Sequence, residues 1–174
     1  FPLLKADLRL TDSQLGALSG VVALGVGLFT VPLSMAADRL GKVRSIALMA
    51  VIWSAATLAC GAAGSFHQLL WARLLVGLGE AAYGSVGLAV IFAWFPRAYR
   101  ATVAGVFLSG AVFGSFLGSA FGGMIGARHG WRWPLILVGL LGLLLAGAYY
   151  ILVREAAAES AYAPRRPPFD LKAL

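Results

Sequence analysis

A glutamate and an arginine lie seven residues apart in a mostly apolar run, and they are the side chains best suited to do chemistry. Glu80 and Arg73 both fall within residues 68–95. As one helix, that run would be about 42 Å long, with Glu80 about 18 Å along it and so near the middle of a bilayer. Ionisable groups at that depth usually face a protein interior or a wet cavity. We therefore predict that Glu80 takes up and releases a proton; a permanently protonated or structurally paired carboxyl is the alternative.

Arg73 lies two turns before Glu80 on the same helical face, about 10 Å away along the axis. Its side chain would either extend to the membrane interface or hold a positive charge at a cavity mouth, for an anionic substrate or as a relay to Glu80. Gly77, Tyr83 and Gly84 continue this face. We predict that the five residues line a proton-coupling or substrate cavity, with helix packing by the small residues as the alternative.

The composition decides which solvent surrounds these residues. Hydrophobic residues make up 60% of the 174 residues and charged residues 12%, with a mean hydropathy of +0.86, whereas soluble domains have about 25% charged residues. This indicates an all-α integral membrane protein. Five runs are long enough to span a bilayer, at residues 13–37, 45–63, 68–95, 101–127 and 133–153. Residues 1–12 then form an extracytoplasmic loop, and the polar, proline-containing residues 154–174 form a cytoplasmic linker.

Basic residues predict the orientation of the spans. Nine lie in the loops at one end and four in the loops at the other, which places the first set in the cytoplasm. The nine are Arg39, Lys42, Arg44, Arg97, Arg100, Arg154, Arg165, Arg166 and Lys172, and the four are Lys5, Arg9, Arg128 and Arg132. The net charge of +7 therefore indicates a membrane surface rather than a nucleic acid as partner.

One acidic residue stands among the bases of the first predicted cytoplasmic loop. Asp38 begins a charged turn in which positive-inside residues explain the bases but not the acid. We expect Asp38 to pair with a base of a neighbouring loop, Arg97 or Arg100, as a latch between conformations. The predicted cytoplasmic gate comprises Asp38, Arg39, Gly41, Lys42, Arg44 and Arg100.

Five glycines recur at every fourth position of the fourth span: Gly110, Gly114, Gly118, Gly122 and Gly126. Such a ladder allows a second helix to approach closely. We predict helix packing along it, in a contact that is either static or sliding.

Enzymatic chemistry finds little support. His67 and His129 lie near the ends of spans, and Cys60, the one cysteine, is in an apolar run. These residues do not form a cluster with metal-ligand spacing. We predict neither a metal nor a cofactor, and the proton as the coupling ion.

Four segments resemble one transporter family. ADRLGKVR at 37–44 resembles the loop between the second and third helices of the major facilitator superfamily, although Ser34 stands where that signature begins with glycine, a departure expected to loosen the packing. RLLVGLGEA at 73–81 resembles the family's fourth helix. WFPRAYRATVAG at 94–105 and GWRW at 130–133 are also similar to this family, and together the segments cover nearly the whole chain in order.

The resemblance implies helices two to six of a twelve-helix transporter that works by alternating access. The family's first helix and C-terminal half would be missing partners, and the five spans alone would form one wall of the pathway. The resemblance also implies an inner latch of Asp38 with Arg39 and Arg100. The glycine ladder would be a moving surface against the missing half.

Two subgroups remain open. LTDSQLGALSG at 10–20 with GEA at 79–81 is similar to Spinster-like transporters, which implies lipid-like substrates such as lysophospholipids and is slightly favoured. GEA with WFP and GWRW also resembles the anion:cation symporters, which implies organic acids. We expect a proton-linked secondary transporter, a symporter or antiporter, in the bacterial inner membrane. The alternatives are a non-transporting scaffold that reuses the fold and an inactive fragment.

Overall fold

The computed structural model describes residues 2–153, and within that range every regular element is a helix. The helices are α1 Pro2–Asp7, α2 Asp12–Leu40, α3 Lys42–Ala62, α4 Phe66–Glu80, α5 Tyr83–Trp94, α6 Arg97–His129 and α7 Arg132–Leu152. The predicted linker at 154–174 lies outside the described residues.

Five segments are long and apolar enough to cross a membrane, which confirms the predicted number of spans. Most boundaries differ from the prediction by one to four residues. The third span differs in kind, because it consists of two helices, α4 and α5, joined at Ala81 and Ala82. Glu80 is therefore the last residue of a helix and not an interior residue of one.

Local sequence explains where the helices begin and turn. Thr11 forms the N-cap of α2: its hydroxyl accepts from the Gln14 backbone N–H at 3.2 Å, and the Gln14 side chain accepts from the Thr11 N–H at 2.9 Å. Gly41, between α2 and α3, has φ +87°, and Gly130, between α6 and α7, has φ +92°. Both tight turns need the conformational freedom of glycine.

Helix α3 is at the centre of the bundle and packs along α7 and α4, while α2 packs along α4. Helix α6 lies at the side of this group, where Gly126 is its one buried residue. Many of its large apolar side chains are exposed, and Val112, Phe113 and Phe116 are about two-thirds exposed or more. Exposed apolar surface of this extent suits contact with lipid or with another protein.

The two ends of the bundle are named after the acids they carry. The Asp7 end comprises α1, the α3–α4 turn and the α6–α7 turn; the Asp38 end comprises the α2–α3 and α5–α6 turns. At the Asp7 end, residues predicted to form a loop include α1, and the side chains of Leu4 and Leu10 are buried with Leu18, Cys60 and Leu69. This short helix covers the apolar end of the bundle.

Candidate functional site

Arg73 lies on α4, whose start is fixed by two side chains. The Ser65 hydroxyl accepts from the Gln68 backbone N–H at 3.3 Å, and the Gln68 side chain accepts from the Gly64 N–H at 2.9 Å. These caps satisfy donors at the helix start. They fix the beginning of α4 two turns before Arg73.

The Arg73 side chain lines a cavity of about 300 Å³ between α3, α4, α6 and α7. The cavity is mostly apolar, and its other lining residues include Trp53, Thr57, Cys60, Val76, Phe121 and Leu135. The Nε atom of Arg73 is buried and has no hydrogen-bond partner among residues 2–153. A buried donor without a partner costs about 1–3 kcal/mol. Arg73 therefore provides a cationic group with unused hydrogen-bonding capacity at an apolar cavity.

Glu80 lies on the same face of α4 as Arg73 and Val76 but is exposed on the described bundle. It does not line the cavity. Its neighbours in the chain, Ala81 and Ala82, are buried, so the carboxyl projects from a junction whose backbone is packed inside. Its predicted role in proton coupling stays a prediction.

The other three predicted cavity residues have separate surroundings. Gly77 packs against α2, because a Cβ there would lie 2.5 Å from the Val22 carbonyl oxygen. The Tyr83 ring stacks on Phe107 of α6, with ring centroids 5.7 Å apart. Gly84 has open space around its Cα. Among the described residues, Arg73 is thus the one member of the predicted set that lines the cavity.

The closest helix contacts are made by glycines outside the predicted ladder. A Cβ at Gly79 would lie 2.6 Å from the Trp53 backbone nitrogen, and one at Gly139 would lie 2.6 Å from the Leu58 side chain. In the ladder, a Cβ at Gly110, Gly114 or Gly118 would meet nothing within 4 Å beyond its own helix in the described chain, and a Cβ at Gly122 or Gly126 would come within 4 Å of Pro134 of α7. Packing along the whole ladder stays a prediction.

At the Asp38 end, the acid pairs within its own turn rather than with the expected neighbouring loop. The Asp38 carboxylate, near the end of α2, accepts from Nζ of Lys42, at the start of α3, at 3.0 Å. Arg100 Nε donates to the Phe95 carbonyl at 2.9 Å. Because Asp38 and Lys42 are four residues apart, the short turn brings them together directly. A latch between Asp38, Arg39, Arg44 and Arg100 stays a prediction.

At the Asp7 end, a network of hydrogen bonds joins α1, α3 and α7. The Asp7 carboxylate accepts from Arg132 at 2.6 Å and from Trp131 Nε1 at 3.1 Å. Arg132 also donates to the Ala63 carbonyl at 3.2 Å. The hydrogen bond from Arg132, followed by that from Trp131, lowers the pKa of the Asp7 carboxyl. An acid followed far along the chain by Trp-Arg carries no local signal of such pairing.

Comparisons with known proteins agree with this architecture. The model of the Major Facilitator Superfamily matches residues 1–173. The hexuronate transporter of Bacillus subtilis (strain 168) is 30% identical over 91% of this chain and 38% of its own length. A probable sphingolipid transporter, spinster homolog 1 of Arabidopsis thaliana, is 28% identical over 77% of this chain and 27% of its own length.

A solved structure shows the same fold. The bacterial homolog to the human lysosomal transporter Spinster, in its inward-facing and occupied conformation, superposes with a TM-score of 0.72 and 29% identity. The match covers 87% of this chain and 38% of that one. The chain therefore spans less than half the length of these relatives, which are transporters and not enzymes.

Proposed function

Since this chain belongs to the Major Facilitator Superfamily and is a multi-pass integral membrane protein, we propose that the protein is a proton-linked secondary transporter of organic anions. Alternating access of a central cavity carries the substrate across the bilayer. Of the two forms of proton coupling that the sequence leaves open, we propose symport.

The proposal rests on the position of Arg73 at the cavity. A guanidinium group at an apolar cavity, with its Nε buried and unbonded among the described residues, offers a carboxylate ligand charge-assisted hydrogen bonds in a medium of low dielectric constant. Carboxylate and guanidinium geometries match in a bidentate pair. A hexuronate, the substrate named for one relative, carries such a carboxylate.

Glu80 provides the proton site of the proposed cycle. Glu80 lies on the same helical face as Arg73, two turns away, at the point where the span is interrupted. An ionised acid in a membrane span has a high free-energy cost, and such residues usually take part in ion transport. When its carboxyl loses a proton, a negative charge appears on the face that carries Arg73 and competes with the substrate anion. Protonation of Glu80 then favours substrate binding, which couples the two movements.

A lipid-like substrate is the second candidate. The similarity to the Spinster homolog structure and the apolar cavity walls, with Trp53, Phe121 and Leu135, favour it. In that case Arg73 would bind the phosphate of a lysophospholipid head group. The acyl chain would lie against the apolar wall.

Uptake by the full-length protein in proteoliposomes separates these candidates. We expect an inward proton gradient to drive accumulation of glucuronate, and Arg73→Gln to reduce it at least tenfold. The matched control is Arg128→Gln, an exposed arginine at the end of α6, which should leave uptake unchanged. Uptake of a lysophospholipid with no uptake of glucuronate would select the second candidate. Flux of neither substrate, together with copurification of a stable partner, would favour a non-transporting scaffold.

The membrane and the remaining parts of the transporter are included in the proposal. We place the protein in the bacterial inner membrane, with the Asp38 end in the cytoplasm by the bias of basic residues. Its partners are lipid and the small-molecule substrate. The five spans alone are expected to lack transport, because the opposite wall of the pathway would be supplied by a first helix and a C-terminal half.

A further inference from the structure

The junction between α4 and α5 has an irregular backbone inside the bundle. The Ala81 N–H bonds to the Leu78 carbonyl at 3.4 Å, three residues back, and the four-residue pattern resumes with Val86 N–H to Ala82 O at 2.9 Å. Ala82 has φ −106° and ψ 3°. Both alanines are buried, and in a membrane the polar backbone groups of such a junction must find partners in the protein.

Helix α2 supplies a partner on the α4 side of the junction. The Thr30 hydroxyl lies 2.8 Å from the Ala81 carbonyl oxygen and 2.5 Å from the Val26 carbonyl oxygen of its own helix. A hydroxyl has one proton to donate, so Thr30 serves one of these carbonyls at a time. The hydroxyl therefore joins α2 to the junction only while its proton is donated to the Ala81 carbonyl.

A second hydroxyl of α2 reaches the α5 side. Ser34 Oγ lies 2.9 Å from Ser85 Oγ, and Ser85 Oγ donates to the Ala82 carbonyl at 3.1 Å. While Ser85 uses its proton for Ala82, Ser34 must be the donor of the pair. Ser34 stands where the family signature has glycine, and it forms an interhelical hydrogen bond with Ser85. The expectation that it loosens the packing stays a prediction. Both junction carbonyls, Ala81 and Ala82, are thus linked to α2.

The surroundings make this junction the place where the span can bend. On the α4 side, Gly25 and Gly77 bring the backbones of α2 and α4 into direct contact, so these two helices form one unit. Pro32 lies between the two hydroxyl residues and interrupts the hydrogen bonding of α2 at the same level. On the other side, α5 contacts α6 through the Tyr83–Phe107 stack, and Val86 of α5 also packs in a buried cluster with Met49 of α3.

We propose that Thr30 and Ser34 are positioning residues that clamp the α4–α5 junction and thereby set the position of the adjacent Glu80. Release of the two hydroxyls allows α5 to tilt with α6 relative to the α2–α4 unit. The effect on transport rests on the proposed role of Glu80, whereas the effect on helix geometry does not.

The geometric test uses spin labels at Leu75 and Phe92 of the full-length protein, in a background free of native cysteines such as Cys60. Both positions are exposed, at 48% and 45%, and lie about 25 Å apart along a continuous helix axis. We expect Thr30→Val to broaden or shift the distance distribution, because valine keeps the shape and removes the donor. Thr30→Ser keeps the hydroxyl and should retain the original distribution.

A second variant and a matched control protect the test against misfolding. Ser34→Gly restores the family residue and should also alter the distribution. Ser109→Ala removes a hydroxyl whose one hydrogen bond among residues 2–153 is to Val106 O of its own helix, at 2.8 Å, and should change nothing. An unchanged distribution in either Thr30→Val or Ser34→Gly would overturn the clamp.

Transport gives the independent readout. Displacement of a functional group by an ångström can lower rates on the order of 100-fold. We therefore expect Thr30→Val to reduce proton-driven uptake at least tenfold and to move its pH profile, and Thr30→Ser to restore both. Altered distances with an unchanged pH profile would support the clamp while contradicting its link to Glu80. If the distances change but the unmodified protein itself shows no proton-driven uptake, the proposed function is contradicted and the clamp is not.

Discussion

Helices α4 and α6 are both rich in small residues, yet within the described bundle they use their glycines differently. On α4, Gly77 and Gly79 lie directly against the backbones of α2 and α3. On α6, Gly110, Gly114 and Gly118 have open space around them, although their spacing is the more regular. Regular spacing thus indicates a surface on which a helix can approach closely, and it does not show which helix approaches or when.

The difference divides the molecule into a packed part and an open part. Helices α2, α3, α4 and α7 are held together by backbone-level contacts, whereas α6 presents apolar side chains and glycines outward. In a transporter that alternates between two conformations, a packed unit that moves as one body and a surface that slides against another are both needed. The cavity that contains Arg73 lies where these two parts meet.

Alanine at Gly79 provides the strongest way to break the comparison. A Cβ there would lie 2.6 Å from the Trp53 backbone nitrogen, so α3 and α4 must separate. Overpacking of this kind costs about 1–3 kcal/mol. We expect Gly79→Ala to lower the thermal unfolding temperature of the chain in detergent, monitored by circular dichroism, and Gly114→Ala to leave it unchanged. Equal unfolding temperatures for the two variants would remove the distinction between the helices.

Arg73→Met sharpens the comparison at the boundary of the two parts. Methionine fits the apolar cavity and removes a buried donor without a partner, so we expect stability to stay unchanged or rise by up to about 1 kcal/mol. Anion uptake by the full-length variant should nevertheless fall at least tenfold. A large loss of stability in thermal unfolding would show that Arg73 is a structural residue. Arg73→Lys is the control: it keeps the charge and should therefore lose less anion uptake than Arg73→Met.

The smallest expected effect concerns Asp7, which ties α1 to the packed part. Its pKa is lowered in the folded protein by Arg132 and Trp131, so the stability it contributes is present above its unfolded pKa of about 3.9 and is lost as the pH falls through the lower folded value. We expect Asp7→Asn to unfold at a slightly lower temperature than the unmodified chain at pH 7, with the difference vanishing in strong acid.

A matched substitution tests the source of that effect. Asp12→Asn removes an exposed acid that pairs with Lys5, and surface pairs of this kind contribute little. It should change the unfolding temperature less than Asp7→Asn. A difference between Asp7→Asn and the unmodified chain that persists below the folded pKa would contradict the electrostatic explanation.

Much of the fold follows from sequence because lipid imposes simple rules. Apolar length predicts the five spans, and glycine at position 41 fits the turn that needs positive φ. The junction at Ala81 and Ala82 could not be predicted, because alanine favours helix and the partners that allow the interruption, Thr30 and Ser34, lie about 50 positions away in sequence.

Only part of the candidate site could likewise be predicted from the sequence. Arg73 and Glu80 can be identified as candidate site residues from sequence, because a charge within an apolar span has a high free-energy cost. Which of them lines a cavity depends on how α3, α6 and α7 are arranged around it, and that arrangement has no local signal. The Asp7–Arg132 pair joins residues 125 positions apart, so it too depends on the tertiary fold.

The most direct test of the central claim is proton-driven uptake by Glu80→Gln in the full-length protein. Glutamine keeps the size and polarity of the side chain but cannot exchange a proton. In proteoliposomes with glucuronate, we expect an imposed proton gradient to drive no accumulation, while exchange of substrate across the membrane without a gradient continues. Accumulation equal to that of the unmodified protein would contradict the role of Glu80 as the proton site.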